Sequence, residues 1–256
     1  MSLTTHTQTM AEKQKSDKSV TKDALDGVLP LSYRVVTRDS EKQDALHLVA
    51  DSIAQQRQTA SAAIIFNPLC IAGLLATCAG VYRQYEYAGY GTVLTMLSGV
   101  VIIYLSLVRY YTSRYLELAE KFRWKDWISG PDGKEDVIIA AVFGEEIIGT
   151  LVLRLKGDKS NKKKSVAQAS TDGQGIIRAW TTKLRYRGKG VGSDLLHFAV
   201  QTTYRACGSS ASVEFAEDHA NSKNPLPDMF LRTFKKRQER AGKALKQAVK
   251  DQGDPK

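Results

Sequence analysis

Cysteine is scarce, and its scarcity removes two classes of protein at once. Three cysteines (Cys70, Cys78, Cys207) in 256 residues give no metal-like cluster and no even framework of bridges, so neither a metal centre nor a disulfide scaffold is expected. Cys70 and Cys78 sit in apolar sequence, where cysteine behaves as a small hydrophobe. Residues 1–28 are rich in Ser, Thr, Lys and Gln and lack the early apolar stretch of a signal peptide; they are expected to be a disordered tail. The formal net charge is +10. The basic residues gather at Lys13–Lys22, beside the apolar region, at Lys162–Lys163–Lys164 and over Lys235–Lys250, without the interleaved aromatics of a stacking platform. Nucleic acid is therefore not expected as a partner, and an RNA-binding adaptor would rest on charge alone.

What is abundant is apolar sequence in the middle. No charged residue occurs between Arg57 and Arg83, an interval of about 25 residues, or between Glu86 and Arg109, about 22 residues. Both exceed the roughly 20 residues that cross a bilayer core. Ile64, Ile65, Phe66, Leu69 and Leu74 mark the first run; Leu94, Leu97, Val100, Ile102 and Leu105 mark the second. The polar loop Arg83–Gln84–Tyr85–Glu86–Tyr87 joins them, with tyrosines suited to an interface. A transmembrane hairpin over 59–110 is predicted, with a kink or late start at Asn67–Pro68. A helical pair buried in a soluble core is the alternative, and it must explain two runs that are apolar on nearly every face. Arg109, Arg114, Lys121, Arg123 and Lys125 follow the second run, so both termini are expected in the cytosol. The endoplasmic reticulum is the expected membrane if the source is eukaryotic.

Around the hairpin the pattern is mixed. Tyr33–Val36 reads as a strand, and Ser40–Gln58 places Ala45, Leu46, Val49 and Ile53 at helical spacing. Tyr111–Ile128 reads as an amphipathic helix, and Asp136–Phe143 with Glu146–Leu155 as a β-hairpin across Gly144–Glu145. Lys156–Gln174 is a polar loop expected to be mobile. A strand over Gly175–Thr182 leads into Arg187–Gly188–Lys189–Gly190–Val191–Gly192, and a helix follows to about Arg205. Glycines there let the chain turn tightly and approach a ligand, and consecutive amides at a helix start form an anion nest. With Arg185, Arg187 and Lys189 nearby, the physics predicts a pyrophosphate site. No Gly-Lys-Ser/Thr completes a P-loop, and Ser193 stands where the Rossmann pattern needs its third glycine.

What remains resembles motif A of the GNAT acetyltransferase superfamily, [Q/R]-x-x-G-x-[G/A], here preceded by Tyr186 and followed by Leu195–Leu196. The order of elements is similar over about residues 32–225, with Ala211–Phe215 as the strand after the motif helix. The resemblance implies an α/β (α+β) fold. It would be a GNAT-like mixed sheet of about five strands flanked by helices, with a two-helix transmembrane hairpin inserted between the first two helices and a basic C-terminal helix. Membrane-bound N-acetyltransferases carry a similar insertion. The implied division is a tail at 1–28, the first strand and helix at 29–58, the hairpin at 59–110, the remaining domain at 111–225, and the basic helix and tail at 226–256.

By the same resemblance, acetyl-CoA is the co-substrate and no metal is needed. The amides of Arg187, Gly188, Lys189, Gly190, Val191, Gly192 and Ser193 would hold its pyrophosphate. Main-chain groups of Trp180, Thr181 and Thr182 would bind its pantetheine arm, and Asn221 matches an asparagine found after the fifth strand. The implied function is acetyl transfer to a primary amine of an unnamed, membrane-associated acceptor. The catalytic acid and base stay open. The tyrosine often found on the helix after the fifth strand is absent, where Phe230 and Phe234 stand, and Glu214, Glu217, Asp218 and His219 are the available groups. The last two strands usual in the family are not visible, which leaves an inactive CoA-binding membrane scaffold as the alternative. It also leaves room for a second protomer at the sheet edge.

Overall fold

The computed structural model describes residues 30–130, 133–157 and 173–253. The expected disordered tail and most of the expected loop at 156–174 lie outside the described residues. A five-stranded sheet forms the centre: β1 (Leu31–Val35), β2 (Val137–Phe143), β3 (Glu146–Lys156), β4 (Gln174–Thr182) and β5 (Ser212–Phe215), in that spatial order. The pairs β1–β2, β2–β3 and β3–β4 are antiparallel, whereas β4–β5 is parallel. β2 and β3 have both faces covered, which is why they read as continuous Val/Ile/Leu sequence instead of alternating.

Each face of the sheet has its own helix layer. On one side α1 (Asp39–Ile65) buries Ala45, Leu46 and Val49 against Ile138, Ala140 and Val152. On the other, α6 (Val191–Cys207) and the end of α7 (Arg232–Gly253) bury Leu195, Leu196, Ala199, Leu245 and Ala248 against Ile139, Leu151 and Ile177. Burying a Leu or Ile side chain contributes about 1.5–3 kcal/mol, so these two layers hold the strands in place. β4 and α6 are pressed close together, because a Cβ on Gly175 would lie 2.4 Å from Thr203 Oγ1.

The apolar region is organised differently from its expected bounds. α1 continues without interruption through residue 59 to Ile65, so the first apolar run is divided between two helices. Pro68 lacks an amide hydrogen and biases Asn67 to an extended conformation; Asn67 Oδ1 then accepts from the Leu69 amide at 3.0 Å and caps α2 (Pro68–Tyr85). The two axes differ by 57°. α2 packs on α3 (Tyr90–Thr112), and the short α4 (Arg114–Glu120) continues it. α2 has no buried residue, and α3 buries only Val108 and Thr112. The apolar stretch starting at Tyr90 is long enough to cross a bilayer, and only 11% of it is buried. The expected amphipathic helix at 111–128 is broken into the end of α3, α4 and α5 (Trp124–Ile128).

A third cluster ties the hairpin base to the domain. Ala60 and Ile64 of α1, Val108 of α3, Tyr115 of α4 and Leu226 meet there. Phe234 of α7 stacks on Tyr115 with ring centroids 6.2 Å apart. A buried ion network lies at the opposite end of the sheet. Asp136 accepts from Arg154 Nε at 2.6 Å and from Arg178 Nη1 at 2.7 Å. Arg178 also donates to the Trp127 carbonyl and covers the Trp127 ring.

Candidate active site

β4 and β5 part company in the middle of the sheet. Register stops at Ile177–Phe215, while β4 runs on to Thr182, so its last residues have a strand neighbour only on the β3 side. The Ala216 amide still reaches the Ile177 carbonyl at 2.9 Å, and the Ala220 amide reaches that of Arg178 at 2.8 Å. Beyond that Trp180, Thr181 and Thr182 line a cleft of about 1030 Å³, and the strand alternation turns the main chain of Trp180 and Thr182 away from β3.

The glycine loop closes one end of this cleft. Gly188 and Gly190 have φ of 77° and 89°, which only glycine adopts without strain, and a Cβ at either would meet open space. The amides of Arg187, Ser193 and Asp194 are taken by the carbonyls of Leu184 and Gly190. The consecutive amides of Gly188, Lys189, Gly190, Val191 and Gly192 have no backbone partner among the described residues. They stand at the positive end of α6, with room in front of them, which is the environment a diphosphate requires. Trp180 Nε1 donates to the Gly192 carbonyl at 3.0 Å and pins the loop to β4. The Ser193 amide, expected among the donors, is instead bonded to Gly190 at 2.8 Å; its side chain lines the cleft.

Side chains from three elements complete the walls. Arg187 reaches back across the strand end: Nε donates to the Thr182 carbonyl at 3.1 Å and Nη2 to Gln55 Oε1 at 2.8 Å. Burial, and then the neighbouring Arg237, lower its affinity for a proton below that of an ordinary guanidinium. Asn221, after β5, donates through Nδ2 to Ser52 Oγ at 3.3 Å, and its amide donates to His219 Nδ1 at 3.1 Å. His219 Nδ1 is thus an acceptor and the neutral ring carries its proton on Nε2. Burial holds the His219 pKa below the usual imidazole value, against the opposing pull of Asp218.

Of the expected site residues, the cleft gathers Trp180, Thr181, Thr182, Arg187, Gly188, Gly190, Gly192, Ser193, His219 and Asn221. The Val191 side chain turns into the core, and Lys189 Nζ lies over the Tyr186 ring at 5.5 Å, so both face the ligand side through their amides alone. Glu214 lies outside the cleft and bonds Gln174 Nε2 at 2.9 Å, whereas Glu217 lines it. Sequence reasoning missed Ser52, Gln55 and Gln56 on α1 and Arg237 and Gln238 on α7; Phe234, which stands in the region where the family often has its tyrosine, lines the cleft as well. α7 packs on α6 and also walls the cleft. Among the described residues no group of acidic, His or Cys side chains could hold a metal.

A pH dependence follows from the His219 environment. Well above pH 6.5 the ring is neutral whether the chain is folded or not. As pH falls below that value the unfolded chain takes the proton first, so stability declines until the lower folded pKa is passed. His219→Gln keeps an acceptor for the Asn221 amide. It is expected to reduce the loss of Tm between pH 7 and 5, measured by thermal melts in parallel buffers.

Residues 101–224 match the model of the Acetyltransferase (GNAT) family. The match spans β2 to β5 and the glycine loop, and leaves out β1, α1 and α7. Such domains transfer an acyl group with acetyl-CoA as co-substrate. Two solved structures show remote likeness. One is an integron cassette protein from the mobile metagenome of V. cholerae, with 14% identity, 83% of this chain and 84% of that chain covered, and a TM-score of 0.33. The other is a transcriptional regulator from Bacillus halodurans C-125, with 13% identity, 81% and 91% covered, and a TM-score of 0.28. No curated protein matches the chain.

Proposed function

We propose that this protein is a membrane-bound N-acetyltransferase that moves an acetyl group from acetyl-CoA to a primary amine. The observation that carries the proposal is the row of unbonded amides at Gly188 to Gly192, set at the start of α6 inside a matched acetyltransferase domain and opening on the β4–β5 cleft. These amides hold the diphosphate, and Arg237 on α7 adds positive charge from the facing wall. The main chain of Trp180 to Thr182, free of a strand on the β5 side, takes the pantetheine amides and polarises the thioester carbonyl.

Acetyl transfer forms a C–N bond and breaks the C–S bond. The amine loses a proton and the departing thiolate gains one. Glu217 is the carboxylate lining the cleft and is assigned to accept the amine proton. His219, neutral with Nε2 protonated, orders Asn221 through Nδ1 and presents a donor. Membrane attachment is supported by α2 and α3, whose apolar side chains are left open: Leu75 is 62% exposed, Leu94 68% and Ile102 63%. At a rise of 1.5 Å per residue α3 is about 35 Å long, enough for a hydrocarbon core of about 30 Å. With β1 and α6 on the cytosolic side, the active domain lies against that face.

The test is a purified full-length chain in detergent. Acetyl-CoA is expected to raise its Tm, and thiol release is expected when primary amines are added. Stabilisation without thiol release from any amine favours a catalytically inactive CoA-binding scaffold. Absence of stabilisation by both acetyl-CoA and CoA removes the proposal. Extraction from membranes by alkaline carbonate without detergent would contradict the membrane assignment.

A further inference from the structure

We infer that the acceptor is a primary amine on a single unbranched apolar chain, its nitrogen bound at Gln56 and its chain lying in a groove that leads to the base of the α2–α3 hairpin. The inference rests on the acetyltransferase reading and names the substrate class for that same site.

Gln56 supplies the first half. It is 7% exposed and lines the cleft, and its Oε1 is the one buried side-chain nitrogen or oxygen without a hydrogen-bond partner among the described residues. Its Nε2 donates to the Asn221 carbonyl at 3.3 Å, which fixes the orientation of the amide; turned over, Oε1 would meet that carbonyl. The neighbours that could have satisfied it are committed elsewhere. Ser52 Oγ donates to the Val49 carbonyl at 2.7 Å and the Asn221 side chain points to Ser52. An unpaired buried acceptor costs about 1–3 kcal/mol, and a bound group that donates a hydrogen removes that cost. An amine N–H is such a donor, placed beside the strand end that receives the thioester.

The second half is the shape of the space beyond it. A groove of about 760 Å³ adjoins the cleft, with Gln58, Thr59 and Arg237 bordering both. One wall is a stripe of α1, with Thr59, Ala62, Ala63 and Phe66 at helical spacing; Met229 and Phe230 face it. Phe66 is 74% exposed and Met229 50%, apolar surface left open on both walls. The groove ends at Asn67 and Pro68, where α1 breaks and the hairpin begins. From Gln56 to Phe66 the helix rises about 15 Å, the reach of a medium-length alkyl chain. A polar head satisfied at one end and a narrow, partly apolar track toward the hairpin at the other fit a single-chain amphiphile. A compact hydrophilic amine would leave the track empty.

The test uses the full chain in nanodiscs with fixed acetyl-CoA and linear primary amines from propylamine to undecylamine. The expected result is a rise in kcat/KM of about two- to fourfold per methylene until the groove is filled. Ala62→Trp, at an exposed position on the track, should collapse the ratio between the longest and shortest amines. Gln56→Met should lower kcat/KM for every amine by about tenfold while acetyl-CoA still raises Tm. Equal kcat/KM along the series overturns the inference and leaves the acetyltransferase reading standing. A rise that Ala62→Trp does not flatten reflects partitioning into the bilayer and also overturns it. Loss of acetyl-CoA stabilisation in Gln56→Met would assign Oε1 to the pantetheine arm and overturn the amine site. Binding of acetyl-CoA without acetylation of any amine removes the underlying reading itself.

Discussion

Gly190→Asp is expected to abolish the stabilisation of this protein by acetyl-CoA and by CoA. Two effects act in the same direction. Gly190 has φ of 89° in the left-handed region, so any side chain there strains the turn that points the amides outward, at a cost of about 1–2 kcal/mol. The added carboxylate would also stand among the amides of Gly188 to Gly192, in the space the diphosphate needs. Replacing attraction by repulsion at a desolvated anion site should weaken affinity by about 100-fold or more, since each tenfold is about 1.4 kcal/mol. Gly190→Ala separates the two effects, because it keeps the strain and adds no charge. Isothermal titration with CoA is expected to show weakened binding in the alanine variant and none in the aspartate variant. Equal binding by wild type and Gly190→Asp would move the diphosphate away from this loop.

Asp136→Ala is expected to destabilise the domain more than any other single substitution considered. The carboxylate is 2% exposed and stands between two guanidiniums, Arg178 with 8% side-chain exposure and Arg154 with 21%. Its removal leaves one fully enclosed cation and one partly enclosed cation unpaired. Breaking such a pair costs about 3–5 kcal/mol, a large share of a domain's total of 5–15 kcal/mol. A fall in Tm of about 10 °C is expected for a domain of this size. The loss should be partly recovered in Asp136→Leu combined with Arg178→Met, which removes the charge with its partner. A Tm within 2 °C of wild type for Asp136→Ala would show that water reaches the arginines.

How much of this was legible in the residues differs from element to element. The Tyr186–Gly192 string announced its loop because positive φ and close approach demand glycine at particular places, and Gly188 and Gly190 have that conformation. β2, β3 and β4 were legible from their Val/Ile density. The first apolar run was not divided correctly, since Ile64 and Ile65 end a helix whose other half packs on the sheet, and lack of charge alone does not distinguish the two. α7 was legible as a basic helix, but not that Phe234, Arg237 and Gln238 form one wall of the cleft. Their role depends on where the chain folds back after Pro227, which no local pattern encodes. Gln56 was hidden for a related reason: a glutamine on a helix signals solvent exposure until the residues after β5 enclose it. Asp136 was visible only as the first residue of an expected strand, because its arginine partners lie 18 and 42 positions away.

The central claim is that acetyl-CoA binds in the β4–β5 cleft with its diphosphate on the amides of Gly188 to Gly192. Hydrogen exchange of the full-length protein with and without CoA reports on those amides directly. CoA is expected to slow exchange in peptides covering residues 187–193, with a second, smaller protection on α7 around Arg237. Unchanged exchange over 187–193 at saturating CoA, or protection confined to another part of the chain, would contradict it.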